Sequence, residues 1–94
     1  MDLKDFRERI DKIDTELIRL FLQRINISAE IARYKKLNNI PVYDPEREQK
    51  KLHDLCREAG ENRADFIKAI YSLIFEQSRA EQERIMKSEP VRSA

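Results

Sequence analysis

One cysteine, one glycine, three prolines and no tryptophan occur in the 94 residues, and neither sign of charge dominates. A lone Cys56 cannot close an internal disulfide. With His53 as the sole histidine it cannot complete a structural zinc site, which needs several thiolates or imidazoles at set spacings. The shortage of glycine and proline leaves little turn chemistry for a sheet of short strands. Nineteen Lys and Arg against eighteen Asp and Glu give a formal charge of +1, so neither a nucleic acid nor an anionic membrane is suggested as partner. The opening Met1-Asp2-Leu3-Lys4-Asp5 lacks the apolar run of a secretory signal, and no apolar stretch approaches the roughly 20 residues that span a bilayer. The expected location is the cytoplasm.

What is present is charge and helix-forming apolar residues: 39% charged and 40% hydrophobic, the composition of long, surface-charged helices in an all-α fold. The length allows one domain, and a chain this short leaves more than about a third of its unfolded surface exposed unless it finds a partner. From Leu3 the apolar residues fall at 3, 6, 10, 13, 17, 20, 27, 31 and 34, an alternating three-four spacing that skips only Arg24. The spacing predicts a first helix over residues 3–37, stopped by Asn38-Asn39-Ile40-Pro41. Such a rod is about 50 Å long, whereas a compact chain of this size is about 30 Å across. A second copy packed along it, as an intertwined two-fold homodimer, is the economical way to cover the seam.

Asp44-Pro45-Glu46 reads as N-cap, first-turn proline and first-turn acid, and Gly60 as the stop of a second helix over 45–59. Its inward stripe is Glu48, Leu52, Leu55, Cys56 and Ala59, with His53 facing solvent. Asn62 is the expected cap of a third helix over about 63–86, along which one row reads Ile70, Ile74, Ser78, Gln82 and Met86. Residues 1–87 form the expected helical domain, and 88–94 read as a flexible tail or linker remnant.

Polar groups on inward stripes cost stability unless paired or solvated, so each is a structural hydrogen bond or part of a ligand site. Arg24 and Lys35, eleven residues apart, differ by only about 20° around the helix and lie about 16 Å apart along it, able to straddle a small anion. Arg7, about 25 Å from Arg24 on the same rod, could join it only from a second chain. Each residue also has a plain structural reading. Arg7 serves as a solvated charge, Lys35 as a helix C-terminal cation, and Arg24 as an intersubunit partner of Glu48. Arg47 and Glu48 read as first-turn residues, and Ser78 and Gln82 as an interhelical hydrogen bond. The joint pattern of cations, one carboxylate and an amide, all inward on three helices, favours a ligand site. No nucleophile–base pair stands out.

Four stretches carry a family resemblance: 6–14 (FRERIDKID), 24–35 with Ala32-Arg33-Tyr34-Lys35-Lys36, 41–48 (PVYDPERE) and 74–82 (IFEQSRAEQ). With these the chain resembles the all-helical class of chorismate mutases, intertwined dimers that rearrange chorismate to prephenate on the way to phenylalanine and tyrosine. The resemblance implies that Arg24, and Arg7 from the partner chain, bind the substrate's two carboxylates. It implies that Lys35 and Gln82 donate to the ether oxygen whose bond breaks, and that Glu48, with the backbone of Asp44, holds the ring hydroxyl. Arg47 and Ser78 would complete the polar wall. It implies no cofactor and no metal, since a [3,3] rearrangement is unimolecular and involves neither nucleophile nor proton transfer. The chain departs from the pattern around residues 60–63 and in the tail. Other readings of the same residues are an isochorismate pyruvate-lyase on the same fold, a non-catalytic helical dimerisation or regulatory module, and a catalytic domain cut from a bifunctional enzyme.

Overall fold

The computed structural model describes residues 1–88. Three helices, α1 (Leu3–Leu37), α2 (Pro45–Ala59) and α3 (Ala64–Ser88), are joined by a strap over 38–44 and a 3-10 turn, Glu61–Arg63. No strand occurs among the described residues. The all-α expectation holds, and α1 and α2 begin and end where the pattern placed them. Ser88 closes α3, and the remainder of the expected tail, 89–94, lies outside the described residues.

Local chemistry explains the helix ends. Asp2 and Asp5 form a reciprocal capping box, each carboxylate accepting the other's backbone N–H at 3.0 Å. At the far end the Asn38 amide donates to the Tyr34 carbonyl at 2.8 Å, and Asn39 turns the chain at φ 55°. Asp44 Oδ1 accepts the Arg47 N–H at 3.1 Å, capping α2, with Pro45 in the first turn. Gly60 ends α2 at φ 89° and ψ 155°, a region open essentially to glycine alone.

Asn62 does not cap α3. It lies inside the 3-10 turn, which has no side-chain cap hydrogen bond. The Arg63 N–H bonds the Gly60 carbonyl at 3.0 Å and the Ala64 N–H bonds that of Glu61, so the chain enters α3 already coiled and the donors a cap would serve are taken.

α3 is the middle element, with α1 and α2 packing on it and not on each other. The buried apolar residues, Ala32, Val42, Ile74, Phe75 and Ile85, join the last third of α1 and the strap to the middle and last turns of α3. Every residue from 1 to 23 is exposed. Along the predicted seam Leu3, Phe6, Ile10, Ile13, Leu17 and Leu20 are 47–61% exposed. The radius of gyration is 16.9 Å, against about 12 Å for a compact chain of this length. Extents of 57 × 27 × 18 Å describe a rod whose first half is left uncovered by the described residues.

Candidate active site

The last turns of α1, the strap, the first turns of α2 and the middle of α3 enclose a cavity of about 440 Å³. It is lined by Arg24, Lys35, Asp44, Arg47, Glu48, Ser78 and Gln82, every residue singled out from the sequence except Arg7. Arg7 lies exposed on the unpartnered half of α1. Ile27, Ile31, Val42 and Phe75 give the cavity apolar walls.

The inward polar groups differ in how far they are already engaged. Lys35 Nζ donates to the Val42 carbonyl at 2.8 Å, fastening the strap to α1 and fixing the ammonium at the cavity wall. Ser28 and Ser78, both on the α1–α3 contact, share a hydroxyl hydrogen bond of 2.7 Å. Of the two α3 residues read as an alternative interhelical hydrogen bond, Ser78 makes one, to Ser28 of α1. Arg24 lies over the Phe75 ring at 6.0 Å and has no carboxylate partner among the described residues. Gln82 is 8% exposed, and its Oε1 is enclosed without a hydrogen-bond partner. Leaving a buried amide oxygen unpaired costs about 1–3 kcal/mol. Rotation of the amide exchanges its carbonyl with its NH₂, so the side chain can also present a donor there.

Glu48, read from the sequence either as a ligand group or as an intersubunit partner of Arg24, is ion-paired within the chain to Arg79 Nη1. That hydrogen bond holds the Arg79 guanidinium still more firmly protonated, against the opposing effect of burial. The same guanidinium lies 5.1 Å from the centre of the Tyr43 ring on the strap. Sequence reasoning missed Arg79 and Lys51, which both line the cavity. Lys51 was marked by its place three residues beyond Glu48 on one face of α2. Arg79 carried a weaker signal, a charge directly beside Ser78 in an otherwise inward row.

Five cations and two carboxylates face this space, an excess of three positive charges. Both carboxylates are engaged, Asp44 with the backbone of α2 and Glu48 with Arg79. Arg24, Arg47 and Lys51 therefore keep charges that no carboxylate of the described residues neutralises. A small dianion with one further hydroxyl or ether oxygen matches these groups. No cluster of His, Cys, Asp and Glu suited to a metal ion occurs among the described residues. A second hollow of about 600 Å³, bounded by Leu52, His53, Cys56, Arg57, Glu61 and Lys68 among others, holds none of the predicted site residues.

The family profile for chorismate mutase type II matches residues 6–83, most of the chain. The chain belongs to the chorismate mutase type II family. A chorismate mutase of Methanocaldococcus jannaschii is 30% identical over 88 residues, covering 90% of this chain and 88% of that protein. A bifunctional chorismate mutase/prephenate dehydratase of Buchnera aphidicola subsp. Baizongia pistaciae is 38% identical over 85 residues. That match covers 87% of this chain and 23% of the relative. The T-protein of Haemophilus influenzae is 44% identical over 46 residues, 49% of this chain and 12% of that protein. The chain therefore spans nearly all of one chorismate mutase relative and a small part of the longer ones. No solved structure matches it significantly. The family's match spans α1, the strap, α2 and most of α3, the elements that wall the cavity.

Proposed function

We propose that the chain catalyses the [3,3] rearrangement of chorismate to prephenate, with the cavity as its active site. The observation that carries this reading is the division of labour among the charges. The two carboxylates of the cavity are engaged, while Arg24, Lys35, Arg47 and Lys51 remain as cations around one small space beside the unpaired amide oxygen of Gln82.

The substrate must be held folded, its enolpyruvyl carbon over the ring. Arg24 takes one carboxylate, and Arg7 of the partner subunit takes the other across a two-fold homodimer. Bidentate guanidinium–carboxylate pairs suit this because they fix orientation as well as position. As the C–O bond stretches, negative charge grows on the ether oxygen, where Lys35 and Gln82 donate more strongly to the transition state than to the ground state. Glu48 and the backbone at Asp44 receive the ring hydroxyl, and Arg47 and Ser78 complete the polar wall. The bond reorganisation is internal to the substrate, so the protein moves no proton. A millionfold acceleration requires about 8 kcal/mol, and one well-placed donor commonly accounts for about 3–4 of it.

Residues 1–87 act as the catalytic domain under this reading, and the cytoplasm is its place of work. No helix among the described residues is long and apolar enough to cross a membrane. The test is the loss of chorismate absorbance with purified protein, conversion of the product to phenylpyruvate in acid, and repetition with Arg24→Ala. Prephenate formation that R24A abolishes is the expected result. Turnover of isochorismate to salicylate and pyruvate instead would identify a lyase, and a folded dimer inert to both would leave a non-catalytic module.

A further inference from the structure

We infer that Arg79 is a positioning residue of this site: it holds the Glu48 carboxylate ready for the substrate's hydroxyl and keeps it away from the cations that grip the substrate's carboxylates. The inference rests on the reading of the cavity just given and assigns a role to a side chain that reading does not use.

Arg79 projects from α3, bonds Glu48 on α2 through Nη1, and lies over Tyr43 on the strap. Its side chain is 33% exposed and that of Glu48 23%, so water competes with the pair less than at an open surface. Two different forces fix the guanidinium, the charge of the carboxylate and the face of the ring, and they act on separate segments. The carboxylate is therefore set relative to α3, which also carries Ser78 and Gln82.

The surroundings explain why such a clamp is needed. Lys51 sits three residues from Glu48 on α2, the spacing at which opposite charges on a helix meet, and Arg24 and Arg47 line the same space. Released from Arg79, Glu48 has three nearby cations to turn to. Any of those pairings would remove the hydroxyl's acceptor, and pairing with Arg24 would also neutralise the charge that grips a carboxylate of the dianion. Arginine suits the position because a nitrogen of its planar fork bonds the carboxylate while its central carbon lies over the Tyr43 ring. Lysine would keep the charge and lose that fixed geometry.

The experiment is a double-mutant cycle on chorismate turnover with Arg79→Leu, Arg79→Lys and Glu48→Gln, each variant checked for helicity and oligomeric state. R79L should lower kcat/KM about tenfold, mainly by raising KM, and R79K should recover part of the loss. In the E48Q background the R79L substitution should change kcat/KM less than about twofold, because Arg79 acts through Glu48. A structural role alone would give the same loss in both backgrounds, and that result would overturn the inference. So would an R79L enzyme as active as the unaltered chain. Should R79L not fold, R79K decides by the same comparison. Absence of turnover in the unaltered chain would sink the functional reading itself, whereas turnover with additive losses sinks only the role of Arg79.

Discussion

Lys35 and Gln82 reach the same cavity with different commitments, since the ammonium already holds the Val42 carbonyl and the amide oxygen of Gln82 holds nothing. Donors aimed at charge that appears only in the transition state act on kcat. Lys35→Ala is expected to lower kcat by about 10²–10³ in steady-state assays. Ser78→Ala should lower it less than about tenfold while costing about 1 kcal/mol in urea unfolding, because the hydroxyl's partner is Ser28. The opposite ranking of the two would remove Lys35 from the chemistry. The donor role proposed for Gln82 uses an amide that does not titrate, so kcat should hold between about pH 5 and 8, whereas Gln82→Glu should work only when acid keeps the new carboxyl protonated. A kcat of the unaltered chain that collapses across that interval would count against Gln82 as the donor to the ether oxygen. Arg24, Ser78 and Gln82 were legible in the sequence because each breaks an apolar row whose period is known, and Lys35 because it shares Arg24's side of the helix. Arg79 was not, since its significance lies in two partners on other segments that no spacing brings together.

Among the elements, the junction of α2 and α3 is where local rules and tertiary structure part. Asp44-Pro45 and Gly60 could be read directly, because capping and a positive φ depend on a few neighbouring atoms. The role given to Asn62 failed because a 3-10 turn supplies backbone partners where a cap was expected. At Gly60 nothing lies within 4 Å of where a Cβ would stand, so an alanine there meets no clash but must adopt φ 89°. Gly60→Ala should therefore destabilise the fold by about 1–3 kcal/mol through the backbone, measurable in denaturant, and leave kcat and KM of the refolded enzyme unchanged. Two exposed pairs on the helices lose their contribution in acid. Hydrogen bonds from Arg19 and Lys50 hold the carboxyls of Glu16 and Asp54 below their ordinary values. A depressed folded pKa stabilises above the unfolded value and is lost as pH falls through the folded one, so Glu16→Gln should alter the unfolding midpoint, slightly, only above that range.

At the scale of the whole molecule, the bare apolar seam of α1 is the dominant feature, and a heptad count revealed it because length and periodicity need no tertiary knowledge. Sedimentation at micromolar concentration should show a dimer, and Leu17→Asp, which places a carboxylate on the seam, should give a monomer of much reduced helicity. A stable, well-folded monomer of the unaltered chain would refute the intertwined arrangement. The distance between Arg7 and Arg24 on one straight rod has a genetic corollary. If each site draws one arginine from either chain, Arg7→Ala and Arg24→Ala damage the same two sites through different subunits. Unfolded together and refolded as a mixture, two inactive preparations should yield hybrid dimers in which one site has lost both arginines and the other has kept both. Statistical pairing would then restore roughly a quarter of the original activity.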